Sequence, residues 1–137
     1  LHDLGVQPFL TAATILGVLA QRLVRRLCPL CKQETAINEQ EWGHLTFDYV
    51  MDMPTTMYKA VGCEACRHTG YKGRVGIYEF MPVSLELKSI ISAHGTLNDL
   101  KAQAKKEGVE PLRIAGARKV IEGATTLEEV LRVVPLS

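Results

Sequence analysis

The chain has 137 residues, 47% hydrophobic and 23% charged, and sixteen Lys and Arg against fifteen Asp and Glu leave a net charge of +1. That is ordinary globular usage, which excludes disordered, collagen-like and supercharged nucleic-acid-binding sequence, and a prior of roughly 150 residues per domain allows one compact domain or two small lobes. With so little net charge, any contact with a polyanion has to come from a local patch.

The longest apolar stretch, Pro8 to Ala20, is interrupted by Thr11, Thr14 and Gly17 and falls short of the roughly 20 residues that span a bilayer. No basic segment precedes it and no small-residue cleavage site follows, so neither a membrane span nor a secretory signal is expected. The chain therefore reads as cytoplasmic. It opens at Leu1 and runs at once into an apolar pattern, as a piece of a larger protein would. Ala12, Ile15, Leu16, Leu19, Leu23 and Leu27 recur at i, i+3, i+4 and i+7, which predicts an amphipathic helix, although the second half, Gln21 to Leu27, also fits a strand. Arg22, Arg25 and Arg26 read as one solvated face.

From Cys28 to Cys66 the sequence is polar and broken by Pro29, Pro54 and Gly62, with one short strand candidate at Met57 to Val61. Glycine punctuation between Gly70 and Gly76 leads into a predicted strand, Arg74 to Met81, ended by Pro82. Ser84 is placed to cap a helix carrying Leu87, Ile90 and Ile91 that stops at Gly95. Thr96-Leu-Asn-Asp99 reads as a capping box opening a helix to Gly108. A third helix runs from about Pro111 to Glu122, before Gly123. Thr126-Leu-Glu-Glu129 is a second capping box, opening a helix that buries Leu127, Val130, Leu131 and Val134. The tail is expected to be a small bundle of short helices.

Chemistry concentrates in the four cysteines, which form two C-x-x-C pairs, Cys28/Cys31 and Cys63/Cys66. Each such turn aims two thiolates at one point, and two turns complete the tetrahedral shell that Zn²⁺ prefers. The 31 residues between Cys31 and Cys63 exceed the usual 15–20 of a zinc ribbon, so the metal would clamp the base of a long excursion with few large apolar side chains. Structural zinc contributes on the order of 10–16 kcal/mol and would replace a missing core. Four thiolates and the ion move the net charge to about −1, with Arg26, Lys32 and Arg67 close in sequence to offset it. The setting of a redox C-x-x-C is absent, and four cysteines leave no open position for a catalytic water. His68 follows Cys66 by two residues, but the shell is full without it; His2, His44 and His94 have no evident partners. No G-x-x-x-x-G-K-[ST], G-x-S-x-G or H-E-x-x-H is present, so no self-contained catalytic centre is visible and no catalytic residue is assigned.

Several motifs in order carry a resemblance: Leu4-Gly-Val-Gln-Pro-Phe-Leu10, Leu16-Gly-Val-Leu-Ala-Gln-Arg-Leu-Val-Arg-Arg-Leu-Cys-Pro29, Gly62-Cys-x-x-Cys66, Thr69-Gly-Tyr-Lys-Gly-Arg-Val-Gly-Ile-Tyr-Glu79, and Arg118-Lys-Val-Ile-x-Gly-x-Thr-Thr-Leu-Glu-Glu-Val-Leu-Arg132. Together they resemble the C-terminal part of the type II secretion and type IV pilus assembly ATPases, across essentially the whole chain, with the Leu16 to Arg22 stretch closer to the secretion branch.

The resemblance implies an α/β fragment. Residues 1–27 would end a RecA-like core, 28–66 would form a tetracysteine zinc subdomain, 67–83 would hold a strand returning to the core, and 84–137 would form a small C-terminal helical lobe. It also implies that Ala20 to Leu27 is a strand. The metal ligands would be Cys28, Cys31, Cys63 and Cys66, and Arg74 would lie near the nucleotide pocket, or else pack against the neighbouring tyrosines. The complete protein is expected to be a homo-hexamer that uses ATP and Mg²⁺, docks on an inner-membrane platform through partner proteins, and powers protein secretion by assembling a pseudopilus. This piece would supply structural zinc binding and inter-domain coupling.

A competing reading is a free-standing zinc-knuckle module that binds nucleic acid through Arg25, Arg26, Arg67, Lys72 and Arg74. Near-neutral charge and aromatics that do not interleave with the basic residues weigh against it. Cys63-x-x-Cys66-x-x-Thr-Gly70 also faintly resembles the repeats of J-domain chaperones, but only one unit is present.

Overall fold

The computed structural model describes residues 17–134. Strand β1 (Gly17–Leu27) pairs with β4 (Tyr71–Pro82), and β2 (Gln33–Ala36) pairs antiparallel with β3 (Thr56–Lys59), with Gln33 opposite Lys59 and Ala36 opposite Thr56. Helix α1 (Glu39–Leu45) lies between β2 and β3 in sequence, and a 3-10 turn (Glu64–Cys66) precedes β4. Helices α2 (Leu85–Ser92), α3 (Leu97–Lys106), α4 (Leu112–Ile121) and α5 (Leu127–Val133) follow. The fold is mixed α/β.

The helix expected from Ala12 to Leu27 is corrected over its described part, because residues 17–27 are strand; Ala12, Ile15 and Leu16 lie outside the described residues. Leu19 and Leu23, on the supposed helical stripe, are 62% and 48% exposed, whereas Val24, off that stripe, is fully buried. The spacing was coincidence; the ladder with β4 decides the conformation, as tertiary context does when period and propensity disagree. The strand expected at Arg74 begins three residues earlier, at Tyr71, and passes through Gly73 at φ +79°.

Two compact units are present. One comprises residues 17–20 with Glu79–Glu110, the other Gln21–Tyr78 with residues 111–134. In the first, α2 and α3 pack on each other around buried Leu87, Val83 and Ala104. Ser84 Oγ caps α2 at the Leu87 amide, and Thr96 and Asp99 form the reciprocal capping box of α3. Helix α2 closes differently from expectation. His94, at φ 58°, takes the left-handed position, with its amide donating to the Ile91 carbonyl oxygen and that of Gly95 to Ile90. A histidine here tolerates what glycine usually supplies. Helices α3 and α4 end in the same motif on Gly108 and Gly123, at φ +87° and +76°.

The second unit holds a core built from Val24 and Ile77 of the β1/β4 ribbon, Trp42 and Leu45 of α1, Leu112, Ala117 and Val120 of α4, and Leu127 and Val130 of α5. Gly116 lets α4 and α5 touch, since a Cβ there would lie 2.4 Å from a Val130 methyl. Two expectations change here. The excursion between the cysteine pairs is not coreless: Asn38 caps α1, and that helix delivers Trp42 and Leu45 into apolar contact with α4 and α5. Nor do the four tail helices form one bundle, because α2 and α3 belong to one unit and α4 and α5 to the other.

Candidate metal centre

Cys28 follows the last residue of β1, and its amide donates to the Gly70 carbonyl oxygen at 2.9 Å. The Lys32 amide donates to the Cys28 carbonyl oxygen at 3.1 Å, closing the first knuckle. In the second, the 3-10 turn from Glu64 brings Cys66 back under Cys63, and Arg67 and His68 follow at φ 57° and 63°. Gly70, at φ +85°, is required by a close approach, since a Cβ there would stand 2.5 Å from that of Ala60.

These turns bring Cys28, Cys31, Cys63 and Cys66 together, with all four sulfurs within 4.8 Å of one another. Three pairs, Cys28–Cys63, Cys31–Cys66 and Cys63–Cys66, are each 3.8 Å apart. A tetrahedron with metal–sulfur bonds of about 2.3 Å has edges of about 3.8 Å, and a disulfide would need about 2.05 Å. The donor set and its spacing therefore fit a closed four-thiolate metal site. Amides are aimed at the sulfurs as in such sites: Cys63 N–H and Gly70 N–H reach Cys66 Sγ at 3.2 Å, and Gly62 N–H reaches Cys31 Sγ at 3.4 Å. Burial pushes the Cys66 thiol up, but the Cys63 and Gly70 amides and the neighbouring thiols outweigh it and bring it down to about 6. At Cys31 the Gly62 amide pulls down, while burial and the three other sulfurs push the thiol up to about 11. The quartet thus divides its charge unevenly until a cation draws off the remaining protons.

His68 is exposed and outside the quartet. The Lys32 ammonium donates to the Gly123 carbonyl oxygen at 2.8 Å, at the end of α4, and lies 4.4 Å from the centre of the Tyr58 ring. Arg74 is exposed on β4.

Arg25 is half-exposed, on the solvated face expected for it, and is ion-paired there. Its guanidinium is held by Glu129 Oε1 at 2.8 and 3.0 Å, its amide donates to Oε2 at 2.8 Å, and it lies 4.1 Å from the centre of the Tyr71 ring. Arg132 approaches the same carboxylate at 3.1 Å. Burial, with only 2% of the Glu129 side chain exposed, pushes its carboxyl up; the hydrogen bonds from Arg132 and Arg25 prevail and hold it at about 2. Thr126 caps α5 through the Glu129 amide, but the Glu129 carboxylate serves the arginines and does not complete the capping box. Leu27 N–H to the Ala124 carbonyl oxygen and Thr125 Oγ1–H to that of Arg25 finish the join between β1 and the α4–α5 turn.

A profile of type II/IV secretion system proteins matches residues 1–132 of the chain. A type IV pilus assembly ATPase of Acinetobacter baylyi is 66% identical over the whole chain, which spans 23% of that protein's length. Type II secretion system protein E of Pseudomonas aeruginosa is 44% identical over 97% of the chain, covering 26% of that protein. A pilus assembly ATPase of Myxococcus xanthus is 44% identical over 96% of the chain, covering 23% of it. Among the described residues no helix is long and apolar enough to cross a membrane.

Proposed function

The chain belongs to the type II/IV secretion system protein family, and from that premise we propose that it is a zinc-braced coupling part of an ATPase that builds a pilus or pilus-like filament. The observation that carries this reading is 66% identity, over its full length, to a pilus assembly ATPase. The same figure favours the pilus branch over the secretion branch to which the Leu16 to Arg22 stretch points; 44% identity to a secretion ATPase keeps the pseudopilus as the second reading.

In this proposal Cys28, Cys31, Cys63 and Cys66 hold one structural Zn²⁺, an ion that supplies no open coordination position and so braces without catalysing. Residues 1–27 and 67–83 would contribute to a RecA-like core, 28–66 to the metal subdomain and 84–137 to a C-terminal helical lobe. The chain would follow a nucleotide-binding core in the complete protein, a cytoplasmic homo-hexamer that uses ATP and Mg²⁺ and reaches the inner membrane through partner proteins. Exposed Arg74 would lie at the nucleotide pocket, where a guanidinium neutralises phosphate charge. What supports the bracing role is the path from the sulfurs outward: Cys28 to Gly70, Leu27 to Ala124 and Lys32 to Gly123 are all hydrogen-bonded.

Two measurements test the reading. The protein as the cell makes it should carry about one zinc per chain and hydrolyse ATP. In cells lacking it, the wild-type gene should restore surface pili, whereas Cys28→Ser with Cys63→Ser should not. Restored secretion without pili would move the assignment to the second reading; neither phenotype, with no ATP turnover, would overturn it.

A further inference from the structure

Gly70 touches both halves of the quartet. Its amide donates to Cys66 Sγ at 3.2 Å, and its carbonyl oxygen accepts from the Cys28 amide at 2.9 Å. A glycine backbone has few preferences of its own, so the direction in which that amide points is set by what grips the residues on either side. On one side the Thr69 hydroxyl donates to the Cys66 carbonyl oxygen at 2.8 Å and accepts from the Tyr71 amide at 3.1 Å. On the other side stands Tyr71, and its side chain is held from elsewhere in the chain.

The Tyr71 hydroxyl lies 2.9 Å from Thr126 Oγ1, 55 positions on, and the centre of its ring lies 4.1 Å from the guanidinium carbon of Arg25. Both partners are themselves fixed. Thr126 Oγ1 accepts from the Glu129 amide at 3.1 Å, and the Glu129 carboxylate holds Arg25 by its guanidinium and its backbone amide. Thr126 and Glu129 are 7% and 2% exposed, so these contacts are made where the low local dielectric strengthens them.

We propose that Tyr71 is a positioning residue of the metal site: clasped by Arg25 and Thr126, with Glu129 behind both, it holds the Gly70 amide on Cys66 and so sets how long the ion stays bound. Outer partners of metal ligands tune affinity in this way. Here the partner is a backbone amide, and the side chains that aim it lie in the join between β1 and α5. Coupling between two sites is reciprocal. A pull that draws α5 from β1 loosens the ion, and loss of the ion loosens the join. This rests on the reading that the quartet holds Zn²⁺.

The test uses the protein as the cell makes it, under reducing conditions, and follows release of zinc to an excess of a chromophoric chelator. Tyr71→Leu, which removes ring and hydroxyl, should release zinc about tenfold faster than wild type or more. Tyr71→Phe and Thr126→Val, which remove the hydroxyl pair alone, should give a smaller rise, and Thr126→Ser, which keeps it, the wild-type rate. A merely structural role is separated by cobalt substitution. A thiolate that loses a hydrogen bond gives up its electrons more readily, so the thiolate-to-metal charge-transfer band should move to longer wavelength in Tyr71→Leu. Val120→Ala, which cuts a hole in the same core, should leave that band in place. Wild-type release and an unmoved band in Tyr71→Leu and Thr126→Val, or the same band shift in Val120→Ala, overturn the proposal. Wild-type protein that carries no zinc overturns the metal reading beneath it, a failure seen before any variant is made.

Discussion

Glu129 is the residue on which β1 and α5 both depend. Its carboxylate accepts from Arg25, from the Arg25 amide and from Arg132 while almost wholly buried, so Glu129→Gln leaves two half-exposed guanidinium groups without their anion. We expect a loss of about 2 kcal/mol at neutral pH, the scale of charge-assisted hydrogen bonds reduced for the exposed arginines. Because the folded carboxyl is held at about 2, below its ordinary value of 4.5, its contribution is complete above pH 4.5 and fades as the pH falls towards 2. Urea denaturation should therefore show the gap between wild type and Glu129→Gln narrowing from pH 6 to pH 3. Gly70 poses a separate demand. Gly70→Ala must hold a side chain at φ +85° and against Ala60 while its amide still serves Cys66. Metal affinity measured by competition with a chromophoric chelator should fall about 10–100-fold, as it does when a partner of a metal ligand is displaced.

At the scale of elements, the crossing of α4 over α5 is set by Gly116. Gly116→Ala gains helix propensity of about 1 kcal/mol but drives a methyl into Val130, an overpacking cost of about 1–3 kcal/mol. A net loss is expected, and Val130→Ala should cost less in that background than alone, a coupling that a double-mutant cycle of thermal unfolding reads directly. Thr96→Ala removes the cap of α3 and should cost about 1 kcal/mol, measured the same way. The caps and the glycine stops were legible because they are local signals: Ser84, Thr96, Thr126, Gly108 and Gly123 act within a few residues of themselves. Strand β1 was legible only in part: from Gln21 to Leu27 the residues fit a strand as well as a helix, and pairing with β4, some fifty residues on, decides. The part of Glu129 was hidden for the same reason. It lies 104 residues from Arg25, and in sequence it reads as the last letter of a capping box.

Across the molecule, the gathering of the four cysteines was legible from spacing alone, because C-x-x-C turns are self-contained. What spacing could not convey is that the excursion shares the core of α4 and α5 through Trp42 and Leu45. Stripping the metal should therefore loosen more than residues 28–66. Hydrogen exchange after chelation under reducing conditions should accelerate in the knuckles and also in the α4–α5 turn, residues 122–126, which is tied to them by Leu27, Lys32 and Thr125. Unchanged exchange in that turn would mean that the core alone holds it.

The 3.8 Å spacing of the sulfurs has one more consequence, for ageing. Thiols that close need to move by less than about 2 Å to bond to each other. In air, without its ion, the protein is expected to seal itself into cystines and to refuse the metal when it is offered again. Mass spectra should show the lost hydrogens, and a reductant should reopen the door.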